Sequence, residues 1–113
     1  MQEYERVEQN YINFLIRILH VCGIKQLRIN QLENHNKLNW YNKQYLDITQ
    51  IKPFVRDCLR EKCWGKLEAN NFYIHFGYDY YMYMGTNILE NSMQEIAKEF
   101  KLYVESYKSP YLD

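Results

Sequence analysis

The sequence predicts an α+β fold: an antiparallel or mixed sheet of about four to five strands, with about three helices forming a single layer on one face. Two observations carry this. Apolar residues recur at the three-and-four spacing of amphipathic helices in separate stretches near the start, middle and end, and between the last two the period switches to two. The order is helix, weak strands, helix, strands, helix, strand. It shows no repeat and no domain boundary, so residues 1–113 read as a single domain.

The first helix is expected over 3–22, where Tyr4, Val7, Tyr11, Phe14, Leu15, Ile18 and Leu19 line one face. Glu3, Glu5 and Glu8 suit the positive end of its dipole, and Gly23 stands where a left-handed cap is wanted. Leu27 and Ile29 alternate, so a short strand is expected near 26–32. Asn34-His35-Asn36 then reads as a turn, followed by a second strand or an irregular loop. Asp47 or Thr49 can cap a second helix of about 49–63, with Pro53 tolerated in its first turns and Gly65 ending it. Ile51, Phe54, Val55, Cys58 and Leu59 form its stripe.

From Lys66 to Met84 the alternation puts Phe72, Ile74 and Phe76 on one face of a sheet and Tyr73 and His75 on the other. Asn70-Asn71 suits a hairpin turn, and Gly77 marks a second turn or a bulge. A third helix of about 88–100 follows from Met93, Ile96, Ala97 and Phe100, with Ser92 to Glu95 fitting a capping box. Leu102 to Tyr107 alternates as a last strand and stops at Ser109-Pro110.

Composition narrows the function. Fourteen basic and fourteen acidic residues cancel, which removes the electrostatic footprint of a dedicated nucleic-acid binder. Residues 1–65 hold ten Lys/Arg against seven Asp/Glu, and 66–113 hold four against seven, so the C-terminal half suits a basic partner. Three cysteines at no framework spacing, with no signal-like or membrane-length apolar stretch, point to a reducing cytoplasm. Cys58 and Cys63, five apart on the expected helix, would not share a face.

No chemistry-bearing motif emerges. His20, His35 and His75 fall at no metal-ligand spacing, and Gly77 and Gly85 belong to no phosphate-cradling loop, so no metal or cofactor is expected. Cys22 or Cys63 with His75 and Asp79 would be the only nucleophilic set, and nothing in the pattern places them together. The unusual feature is 12 Tyr among 113 residues, because tyrosine offers rigid contact area with a polar tip and is enriched at interfaces. The expected partner-binding surface comprises Tyr73, His75, Tyr78, Asp79, Tyr81, Tyr83, Glu68, Glu105 and Tyr107, tyrosine-rich and mildly acidic.

The size, the Tyr/Asn-rich composition, the run Phe72-Tyr73-Ile74-His75-Phe76-Gly77-Tyr78-Asp79-Tyr80-Tyr81-Met82-Tyr83 and the ending at Ser109-Pro110-Tyr111 carry a resemblance. In these the chain resembles the small cytoplasmic immunity proteins of bacterial contact-dependent growth inhibition and related polymorphic toxin systems. The resemblance implies a non-enzymatic protein that binds a cognate toxin domain, often a nuclease, and occludes its active site. It transfers no functional residue. Two other readings stand beside it: a small metal-free hydrolase or nuclease centred on His75 with Tyr73, Tyr81 and Glu68, and a self-associating adaptor domain whose tyrosines form a dimer interface.

Overall fold

The computed structural model describes residues 3–77, 82–86, 88 and 90–102. Among these the chain forms α1 (Glu3–Cys22), β1 (Gln26–Glu33), β2 (Tyr45–Asp47), α2 (Ile48–Leu59), β3 (Trp64–Ala69), β4 (Phe72–Phe76), β5 (Met82–Gly85) and α3 (Glu90–Glu99). The expected last strand falls beyond Leu102, outside the described residues, as do Tyr80 and Tyr81.

The five strands form one sheet in the order β2-β1-β3-β4-β5, every neighbouring pair antiparallel. β1 runs antiparallel to both β2 and β3, so those two run parallel to each other, and the crossover they require is supplied by α2. The fold class is therefore α+β, as its periodicities indicate.

One sheet face is apolar: Leu27, Ile29, Leu46, Leu67, Phe72, Ile74 and Phe76 are buried there against Phe14, Leu15, Ile18 and Leu19 of α1 and Ile51, Phe54 and Val55 of α2. α3 joins through buried Met93 and Ala97, an edge-on contact of Phe14 with Phe100 at 6.2 Å, and the Arg17–Glu99 ion pair at 2.9 Å. The two long helices are clamped by a buried carboxylate. Glu8 accepts from Arg60 Nε and Nη2 at 2.8 and 3.0 Å and meets Arg56 Nε at 3.3 Å, so the burial of its charge is matched by two guanidiniums.

All three helices end in the same backbone device. Gly23, Glu61 and Lys101 take left-handed φ of 69°, 58° and 57°, each donating its N–H to the carbonyl three residues back while the next residue reaches five back. Two of these positions are not glycine. That corrects the expected extent of α2: it stops at Leu59, with Arg60 as its cap, rather than running to 63, and Gly65 lies within β3, packed beneath Phe54.

Two caps also resolve. Asp47 caps α2, its carboxylate accepting from the Gln50 amide at 3.0 Å and the Thr49 hydroxyl at 2.6 Å while the Gln50 side chain returns to the Asp47 N–H. Those two donors, Thr49 first, hold the Asp47 carboxyl below its ordinary pKa. Ser92, by contrast, does not cap α3: the helix begins two residues earlier at Glu90, and before it the Thr86 hydroxyl accepts from the Ile88 N–H at 3.3 Å.

Candidate partner-binding face

The sheet residues between the core positions point the other way, and the strand registers arrange them in two rows. One runs Tyr45–Arg28–Glu68–Tyr73–Gly85 across all five strands, and the second runs Asn30–Lys66–His75–Tyr83 across four. Directly opposed side chains on antiparallel strands lie about 4.5–5.5 Å apart at Cβ, so each row is a line of contacts.

The Tyr73 ring is held from two sides. It stacks on His75 with ring centroids 4.3 Å apart and planes 30° from parallel. On the facing strand the residue is Gly85, and a Cβ built there would lie 1.9 Å from the Tyr73 ring. Any larger residue at 85 would take the space the ring occupies, so the glycine lets the tyrosine lie across the strand.

The polar members are linked as firmly. Asn30 is a bridge: its Nδ2 donates to Glu68 Oε1 and its Oδ1 accepts from Lys43 Nζ, which fixes the carboxylate of Glu68 on the sheet. Arg28 sits 5.2 Å over the Tyr45 ring and donates from Nε to the Lys43 carbonyl at 3.3 Å. Lys66 and His75 are only 4% and 2% exposed, whereas Arg28, Glu68, Tyr73 and Tyr83 are half-buried. Among the described residues no buried side-chain nitrogen or oxygen lacks a hydrogen-bond partner.

No family model, curated protein or solved structure matches this chain.

Of the residues expected to form the binding surface, Glu68, Tyr73, His75 and Tyr83 are brought together on this face. Tyr78, Asp79, Tyr81, Glu105 and Tyr107 lie outside the described residues. His75 stacks on Tyr73 along its own strand, and its cross-strand neighbours are Lys66 and Tyr83. The two described rows are also less acidic than expected, with Arg28 and Lys66 beside Glu68.

Sequence reasoning passed over Lys66, Asn30, Arg28 and Gly85, although the alternation that placed Tyr73 outward places Lys66 and Glu68 outward as well. It also missed Tyr41 and Tyr45, which at 65% and 55% are among the most exposed large side chains of the described residues. They fall in the stretch whose hydrophobic pattern is weakest. As for chemistry, no group of three or more His, Cys, Asp or Glu side chains among the described residues is placed to hold a metal ion.

Proposed function

We propose that this chain is an immunity-type protein that binds a bacterial toxin domain, such as a nuclease, and neutralises it by occluding the active site. The observation that carries the reading is the fixed Tyr73 ring, seated on Gly85 and stacked on His75 beside a carboxylate tethered by Asn30. A partner that meets side chains already immobilised does not have to order them on binding, and rigid aromatics with few rotatable bonds are the usual anchors of tight interfaces. Glu68 offers a toxin's active-site Lys or Arg a carboxylate in place of a substrate phosphate. Tyr83, half-buried in the adjoining row, extends the contact area. His75 acts from beneath, as the support of the Tyr73 ring. A hydrolytic role for that imidazole would need it open to substrate, and at 2% exposure it is covered.

The test is co-expression of the tagged protein with the reading frame encoded immediately upstream of its own. The expected result is a stoichiometric complex in which the partner's toxicity is suppressed. Tyr83→Ala should then weaken binding by about 2–4 kcal/mol with the fold intact, as truncation of a central anchor does. Replacing exposed Tyr41, which belongs to neither row, should leave the affinity unchanged. Recovery of the chain without a partner would overturn the reading. A complex indifferent to Tyr73, Tyr83 and Glu68 substitutions would overturn this surface.

A further inference from the structure

The end of α2 at Leu59 has a chemical result. With the helix ending at Leu59 and Glu61 turning the chain back, Cys63 returns to the last helical turn, and its sulfur comes to 3.8 Å from that of Cys58. Both are free thiols in the apolar core, 7% and 4% exposed. The two sulfurs are already at van der Waals contact, and a local movement must close them to the bonding distance of about 2.05 Å. Cys63 lies in the connection between α2 and β3, where no ladder bond fixes it.

We propose that Cys58 and Cys63 form a reversible redox pair, a site of disulfide formation that fastens the end of α2 to the start of β3. The two thiols are already unequal. The hydrogen bond from Cys58 holds Cys63 below the ordinary thiol range, whereas burial pushes Cys58 well above it. Cys63, the more exposed of the two, is thus the attacking sulfur. Its thiolate attacks one oxygen of a hydroperoxide, so that an S–O bond forms as the O–O bond breaks; the sulfur becomes a sulfenic acid and the other oxygen leaves as water or an alcohol once protonated. Cys58 then attacks that sulfur, the S–O bond breaks, and hydroxide departs as water with the Cys58 proton. One hydroperoxide takes up two electrons and one disulfide forms. Thiol–disulfide exchange with a small dithiol returns the pair to its reduced state.

The bond would bear on the polar face, because β3 starts at Trp64, next to Cys63, and carries Lys66 and Glu68. The connection it closes is held from outside as well, since Asn36 donates to the Lys62 carbonyl at 2.6 Å. Exposed Cys22 has Thr86 beside it and no second thiol within hydrogen-bond reach, so it provides an internal control for oxidant delivery.

Hydrogen peroxide applied to the folded wild-type protein, followed by alkylation and peptide mapping, tests the pair. A peptide linked through Cys58 and Cys63 should form and revert with dithiothreitol. It should form about tenfold or more faster in the folded chain than in urea, because the fold holds the two sulfurs together. Cys58→Ser should leave a sulfenic acid on Cys63 that dimedone traps. If Cys22 is oxidised while Cys58 and Cys63 remain thiols, or if the linkage forms as fast in the unfolded chain, the proposal is overturned.

Discussion

The two faces of the sheet are built from alternate residues of the same strands, yet they are held by different physics. On the helix side Ile74, Leu67 and Ile29 are fully buried among other hydrocarbons, and their contribution scales with the area taken out of water, with little dependence on direction. On the other side Lys66 and His75 are almost as buried, but polar groups there are stable only when each finds a partner at the right distance and angle. The first face sets how stable the domain is. The second sets where particular atoms stand, which is what recognition needs.

This contrast can be broken in graded steps. The largest effect is expected from Ile74→Ala, which opens a cavity between the sheet and the helices and should cost about 2–5 kcal/mol in a urea titration. On the opposite face of the same hairpin, Gly85→Ala drives a methyl into the space of the Tyr73 ring. It should cost about 1–3 kcal/mol, and the Tyr73 and His75 ring resonances should shift as the stack opens. If that variant matched the wild type in both, the seat for Tyr73 would not be a constraint. Smallest of all, Tyr45→Leu at the exposed β2 edge removes the ring beneath Arg28 and should cost at most about 0.5–1 kcal/mol.

How much was legible follows the same division. The bounds of α1 could be read directly, because its apolar period is long and Gly23 supplies the conventional signal for its end. The end of α2 could not, because exposed Glu61 takes the left-handed position that the pattern assigns to glycine, and the thiol pair that this turn creates was hidden with it. In β1 the clue was present as a broken rhythm. Leu27 and Ile29 are two apart but Leu32 is three further on, and the structure answers with a bulge at Gln31, φ 50°, that puts Leu32 beside Gly65. On the polar face, alternation was enough to place Tyr73, His75 and Glu68 together. It could not show that Asn30 would bridge Lys43 to Glu68, because that contact depends on register between strands far apart in sequence.

The strand order also bears on how the chain reaches this state. β3 and β4 are joined by a turn of two asparagines and can pair as soon as both exist. β1, by contrast, finds Glu68 opposite Arg28 only after the long loop, β2 and the whole of α2 have been gathered between them, so that contact is made against a much larger loss of chain freedom. By chain closure alone the hairpin is the cheapest pairing of the sheet and the β1–β3 pairing a costlier one. Both rows of the polar face cross that β1–β3 junction. The geometry of the face thus depends on a pairing of distant segments, and a chain that made only the hairpin would lack the face altogether.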